Sequence, residues 1–381
     1  MMQGTDRSTM KFILVGYLLI YGLMHVYFYL RLRAALFIPS TAGPVFVTFL
    51  ALMVLAPVIV RLAERRGWEL LAHLFSYVGY SWMGFLFLFV TLSLACDLFR
   101  FLLSFSTFRI PAKLAFLIPA VISVLAYVYG YFEARDIRVT HLVITSPRIP
   151  ESLSALRLVQ VSDIHTGLIV RGERLRRMVE EVIKLKPDLL VSTGDLVDGQ
   201  IDSLKEAVSL WQEVNTIYGK YAVTGNHEFF AGIDQALVFM EEAGFRVLRG
   251  EAVVPVLGLC LVGVDDPVGR YLGFDTKLEI PPRGEAFTIL LKHQPFVSSR
   301  HRGKFDLQLS GHTHAGQLFP FSIITALYFG RQEGLHTLPD RSQLYINRGT
   351  GTWGPPVRIF APPEITLVEL KHSNPDGSGR F

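Results

Sequence analysis

Hydrophobic and polar positions divide the chain near residue 132. Before it, apolar residues run almost without interruption through 12–30, 45–60, 74–94 and 114–131, each near the roughly 20 residues that carry a helix across a bilayer. After it, the period changes. Alternation over 137–144 predicts a strand, and Leu175, Met178, Val179, Val182 and Ile183 recur at helical spacing with Arg174, Arg176, Arg177, Glu180 and Glu181 between them, a solvated helix face rather than a phosphate site. A strand at 189–193, a helix near 204–214, a strand at Tyr221 and a helix over 233–243 follow. From 251 onward the pattern is β-rich, with runs at 253–264, 287–292, 307–310, 344–347 and 365–370, expected to pair mostly antiparallel. Such an order predicts an α/β region of two packed sheets flanked by helices.

The first four runs predict an all-α transmembrane bundle of about four helices over residues 1–132. A signal peptide would account for the first run but not the next three, and no small-residue cleavage site follows Leu30. The second run carries Pro57 and ends at Arg61, which leaves a re-entrant segment open beside a full span, while Pro119 in the fourth is tolerated in lipid. His25 is expected to pack or lie at the interface rather than bind a ligand. No charge falls inside the runs, so an anchor is favoured over an ion or proton path. Arg7, Lys11, Arg61, Arg65, Arg66, Arg135 and Arg138 lie on one side, against Arg31, Arg33, Arg100, Arg109 and Lys113 on the other. That balance predicts a multi-pass integral membrane protein with its amino terminus and its α/β domain in the cytoplasm.

Composition adds two limits. A net charge of +4 with scattered Lys and Arg gives no nucleic-acid footprint, and none is expected as a partner. Cys96 and Cys260 fall in separate regions and are expected to be buried thiols rather than a disulfide, which fits a reducing compartment.

In the α/β region, which we expect over 136–371 before a polar tail at 372–381, apolar runs end repeatedly in ligand chemistry. The strand-like stretch at 158–161 breaks into Asp163-Ile-His165, whose i and i+2 side chains point the same way and can close on one cation. Alone, such a motif is more often an ordinary polar loop. The same grammar returns at Gly194-Asp195, at Gly225-Asn226-His227-Glu228, at His293 and at Gly311-His312-Thr313-His314. Of eleven histidines, His165, His227, His293, His312 and His314 stand at these ends, where ligands gather in open α/β sheets. His141, His301, His336 and His372 are expected to be surface or structural.

This ordered series resembles the calcineurin-like metallophosphoesterase family, in particular a membrane-anchored, bacterial-type phosphodiesterase branch with an N-terminal multi-span domain, over residues 156–370. The resemblance implies a four-layer α/β/β/α sandwich and two metals bridged by one Asp and a hydroxide. By position, Asp163, His165 and His314 would hold the first metal, Asp195 would bridge, and Asn226, His293 and His312 would hold the second. His227 would protonate or stabilise the leaving oxygen, helped by Asp163, with Glu228 and Asp198 as supporting residues. Oxygen and imidazole donors without thiolate suit two divalent ions drawn from Mn, Fe, Zn or Mg. The implied activity is hydrolysis of a phosphodiester or pyrophosphate. A membrane anchor and bilayer contact favour a lipid-linked phosphate substrate, with a soluble phosphodiester or phosphomonoester as the alternative and a non-catalytic scaffold or transporter the least favoured. The charge-poor segment 318–329 is expected to pack in the core, with a bilayer-facing role as its alternative, and Arg348 in a Gly-rich turn is a candidate phosphate contact.

Overall fold

The computed structural model describes residues 4–37, 39–105, 109–153, 155–199, 204–274 and 284–373, so most of the expected polar tail lies outside the described residues. Two compact units emerge, one of Met1–Glu133 with Gly354–Ile359 and the other of Ala134–Trp353 with Phe360–Phe381.

The first unit holds helices α1 (Gly4–Ala35), α2 (Ala42–Arg65), α3 (Glu69–Leu103) and α4 (Ala112–Glu133). All four are long and apolar enough to cross a membrane. Their shared core is aromatic, built on Tyr21, Phe28, Phe89 and Phe116 with Leu50 and Leu86. His25 packs as expected, its Nδ1 2.7 Å from the Tyr21 carbonyl and its Nε2 accepting from Trp82 Nε1 at 2.8 Å. A side chain at Gly79 would strike Ala56, so α2 and α3 meet through small residues. Helix α3 outruns the expected 74–94. Asp97 does not end it, because Arg31 of α1 pairs with that carboxylate at 2.5 Å and Tyr27 donates to it at 2.6 Å.

The second unit carries strands β1 (Arg138–Ser146), β2 (Leu156–Val161), β3 (Leu189–Ser192), β4 (Lys220–Ala222), β5 (Arg246–Val247), β6 (Glu251–Val256), β7 (Leu259–Gly263), β8 (Phe287–Leu291), β9 (Leu307–Ser310), β10 (Gly334–Thr337), β11 (Gln343–Ile346) and β12 (Glu364–His372). Its helices are α5 (Gly172–Lys184), α6 (Lys205–Gln212), α7 (Asn226–Ala231), α8 (Ile233–Glu242), α9 (Pro267–Tyr271) and α10 (Phe321–Phe329). The strands form two six-stranded sheets, β1-β12-β2-β3-β4-β5 and β10-β11-β9-β8-β7-β6. Leu158, Leu189 and Val191 of the first meet Leu261, Ile289, Leu307 and Leu309 of the second in the central core. Helices α5, α6 and α8 pack together beside the first sheet, with Leu175, Met178, Val179 and Val182 of α5 buried. The charged face of α5 is largely solvated: Arg177 is exposed and pairs with Glu173 of its own helix at 2.9 Å, and Arg176 reaches Glu206 of α6 at 3.8 Å. On the second sheet's outer face Val262, Leu290 and Ile346 pack under Phe305 and Leu338. This is the expected α/β/β/α sandwich.

Three local expectations fail for physical reasons. The run at 253–264 is a hairpin rather than one strand, because Gly258 at φ +91° closes a two-residue turn between β6 and β7. The second sheet is parallel at its centre, through β7, β8, β9 and β11, and antiparallel only at its edges. Strands buried on both faces lose the alternation that marks antiparallel pairing. Of segment 318–329 Leu318 is buried, but the rest stays out of the core: Phe321–Phe329 forms α10, in which only Thr325 is buried. Cys96 and Cys260 are free thiols, half-buried rather than fully enclosed.

Candidate metal centre

Every ligand-type residue predicted from the chain follows the carboxyl end of a strand, and the parallel order of β2, β3 and β4 brings these ends together. The turns after the strands are left-handed at Asp163 (φ 52°), His165 (54°), Asp195 (53°), His312 (73°) and His314 (49°). Non-glycine residues rarely adopt this region, at a cost on the order of 1–3 kcal/mol each. Loop-to-loop bonds hold them there: Asp163 N donates to Gly194 O at 3.0 Å, His165 N to Asp195 O at 3.0 Å and Gly311 N to His293 O at 2.9 Å. The reversal turns the side chains inward onto a common centre.

Two groups result. Asp163, His165 and His314 offer donor atoms within 4.8 Å of one another, as do Asp195, His293 and His312. Asp195 stands between them: its Oδ2 is 3.2 Å from His293 Nε2 and 3.7 Å from His165 Nε2, while Oδ1 accepts from the His227 amide at 2.8 Å. Asp163 is anchored by Ser162 Oγ at 2.6 Å and by the His312 amide at 2.9 Å, with His314 Nε2 3.4 Å from its other oxygen.

The donor set fits two divalent cations on its own chemistry. His165 Nε2 faces His314 Nε2 at 3.1 Å, and His293 Nε2 faces His312 Nδ1 at 3.0 Å. Nitrogens at right angles around a cation at about 2.1 Å would stand about 3 Å apart. Asn226 Oδ1 is buried with no hydrogen-bond partner among the described residues, an acceptor left open at the start of α7. Nearly all these side chains are buried, so opposite charges act strongly. Burial opposes ionisation of Asp195, yet His293 and His227 hold its carboxyl well below the usual range. Burial and the charge of His293 together push His312 down to about 3, keeping it neutral.

His227 lies beside both groups, its ring edge-on to His165 with centroids 4.6 Å apart. Its Nδ1 is 2.8 Å from Asp198 Oδ1, a charge contact rather than an aligned hydrogen bond, which leaves Nε2 as the other face of the ring. Burial favours the neutral imidazole, but Asp195 and Asp198 outweigh it and raise His227 to about 9. His227 also falls within ligand distance of His165 and Asp195, so the geometry allows it to bind metal as well as to act on substrate.

Further residues surround these groups, among them Glu228 in the supporting place its motif implied. Glu228 accepts from the amides of Leu196 and Gly225 at 2.7 Å, of Asp195 at 3.0 Å and of Val197 at 3.2 Å, tying the Asp195 loop to the start of α7. A Cβ at Gly225 would collide with Asp195, and one at Gly311 with Ser162 and Asp163. Trp353 packs on His227 at 5.9 Å and exchanges two hydrogen bonds with Gln317. Arg348 is engaged by Glu364 at 3.0 Å and Glu333 at 3.4 Å, which makes it a structural cation rather than a free phosphate contact. A cavity of about 580 Å³ lined by Phe296, Arg302, Phe329 and Arg331 adjoins the centre through Phe329, whose ring is 5.6 Å from that of His312.

Residues 156–316 match the calcineurin-like phosphoesterase family. An uncharacterized metallophosphoesterase of Aquifex aeolicus is 38% identical over 256 residues, covering 66% of this chain and 98% of that protein. One from Campylobacter jejuni is 28% identical over 373 residues, 93% of this chain and 96% of its own length. A transmembrane protein with metallophosphoesterase domain from Danio rerio is 35% identical over 277 residues, 68% of this chain and 62% of that protein. With these relatives and this arrangement of donors, the chain belongs to the calcineurin-like metallophosphoesterase family, whose members are metal-dependent phosphoester hydrolases.

Proposed function

We propose that the protein is a multi-pass membrane phosphoesterase that hydrolyses a lipid-linked phosphodiester or pyrophosphate, using two divalent ions. The observation that carries this reading is Asp195, within 3.7 Å of imidazoles from both ligand groups and so poised to serve two cations at once. Cations bound there supply an activated water and neutralise charge on the phosphoryl oxygens. Asp163, His165 and His314 hold one side of the centre, and Asn226, His293 and His312 the other. Attack forms one P–O bond as another breaks, and His227 gives its proton to the departing oxygen. Asp198 keeps that imidazole charged and oriented.

A lipid-linked substrate is supported by four membrane-length helices in the same chain and by the Danio rerio relative, whose name pairs the same two features. The cavity beside His312 is largely apolar with Arg302, Arg331 and Asp340 in its lining, which suits a bulky leaving group that also carries charge. The arginine balance around the helices supports a cytoplasmic active site.

Hydrolysis of bis-p-nitrophenyl phosphate and of a nucleotide-diphospho-lipid by the detergent-solubilised full chain, with Mn added, tests the proposal. Metal-dependent turnover that His227→Ala lowers by about 100-fold is expected, in line with loss of a general acid, with the lipid preferred. Turnover of the soluble diester alone would remove the lipid from the proposal, and folded protein inactive with every metal would remove the hydrolase.

A further inference from the structure

Helix α10 is apolar throughout, reading FSIITALYF, and it begins shortly after the ligand His314. Its apolar side chains face outward: Leu327 is 81% exposed, Tyr328 72%, Ile324 58% and Ile323 53%. Phe319 just before it touches Phe360, which is 71% exposed, and its last residue, Phe329, rests on His312. Exposed Arg331 follows the Gly330 cap. A contiguous apolar surface of this kind marks an interaction site rather than a solvated face. Exposed aromatic side chains suit the boundary between lipid headgroups and acyl chains, where a neighbouring basic residue can meet an anionic headgroup.

The chain itself specifies which apolar phase is at hand. Helix α4 ends at Glu133 and β1 starts at Arg138, so the link at 134–137 spans at most about 14 Å fully extended. The α/β unit is therefore tethered to whatever bilayer contains α4, at high effective concentration. Trp353 and Phe360 of that unit are exposed aromatics, the type enriched at membrane interfaces.

We infer that α10 docks on the bilayer that holds this chain's own helices, with Ile323, Ile324, Leu327 and Tyr328 seated among the headgroups and upper acyl chains. This inference rests on the membrane-anchored reading above and deepens it. A docked α10 places the His312 side of the metal centre at headgroup depth, so a lipid phosphate reaches it without leaving the membrane.

Full-length protein with Cys96→Ala and Cys260→Ala, carrying Leu327→Cys labelled with an environment-sensitive fluorophore, is reconstituted in phosphatidylethanolamine–phosphatidylglycerol vesicles containing doxyl lipid. Leu257→Cys, in the β6–β7 turn and 87% exposed, is the control. For an inserted face, quenching by doxyl lipid about threefold stronger at 327 than at 257, with iodide quenching weaker by a similar factor, is expected. Equal iodide quenching at both positions, without a doxyl effect at 327, overturns the inference. Iodide protection without doxyl quenching, lost when protein is diluted in the bilayer, assigns the face to a second copy and overturns it too. As a second readout, Ile324→Asp with Leu327→Asp should lower hydrolysis of the diphospho-lipid in vesicles about tenfold through KM, with soluble diester hydrolysis unchanged as the control for folding. An unchanged KM for the lipid counts against docking. A wild-type protein that cleaves no lipid removes the substrate reading, and the quenching result then decides docking alone.

Discussion

His227 and Asp198 stand 2.8 Å apart, Nδ1 to Oδ1, and the same carboxylate oxygen is 3.4 Å from His165 Nδ1. One carboxylate thus faces an imidazole from the loop after β2 and another from the first turn of α7. Burial opposes ionisation of Asp198, but the two imidazoles hold its carboxyl below the ordinary range.

Asp198→Asn should therefore change a pH profile and not only a rate. The protein's own carboxylates raise His227 to about 9, so the protonated acid is present below that pH and is lost as pH rises through it. Bound cations draw the alkaline limb of kcat lower, and removing the Asp198 charge draws it lower still. We expect a downward shift of that limb and a loss of about 10–100-fold in kcat, measured with the soluble diester. A lower rate with an unmoved limb would show that Asp198 only packs.

Glu228 has the supporting place that the motif implied, and its contacts give that role a physical content. Its carboxylate takes backbone amides from residues 195, 196, 197 and 225 while fully buried. Glu228→Ala leaves these donors without acceptors, at roughly 1–3 kcal/mol for each that stays dry. The variant is expected to melt well below the wild type in detergent and to bind metal weakly. Glu228→Gln, which keeps one acceptor oxygen but turns an NH₂ toward the amides, should fall between the two.

The extent to which the chain announced this site follows from where information is local. Each candidate ligand sits at the end of an apolar run, and strand ends are local features, so the gathering of Asp163, Asp195 and His293 near one centre was legible in the sequence. The parallel order of the second sheet was not, since Leu261, Ile289 and Leu309 are buried whichever way their strands run. Nor was α10, because its apolar residues read alike for a core segment and for an exposed face. Left-handed φ at His312 and His314 leaves no mark in residue type, since histidine there is chosen for chemistry and its strain is held by distant loops.

Glycine at two positions sets how closely the ligand loops approach. A Cβ at Gly311 would press on the Asp163 carboxylate and Ser162, whereas one at Gly225 would press on Asp195. Gly311→Ala is expected to disturb the Asp163, His165 and His314 side first, leaving one tightly bound metal per chain. Gly225→Ala moves the shared carboxylate and should release both. Elemental analysis of purified full-length variants distinguishes the two cases, and equal metal loss in both would argue against a separable first group.

His301 gives a stability prediction independent of the metal ligands. Burial first, and then the charges of Lys292, Lys304 and Arg300, lower its imidazole from 6.5 to about 4, and its Nδ1 is buried with no hydrogen-bond partner among the described residues. A base whose folded pKa is depressed binds fewer protons folded than unfolded between the two values, so stability rises with pH across that interval. Below about 4 both states are charged and above about 6.5 both are neutral, and His301 contributes no slope in either range. Because the ring is partly solvated, screening makes the effect smaller than the full shift implies. His301→Leu should flatten the rise in melting temperature of the detergent-solubilised chain between pH 4 and 6.5 while leaving the value near pH 7.5 almost unchanged. An identical slope in the two proteins would assign the acid lability to the carboxylates of the metal centre instead.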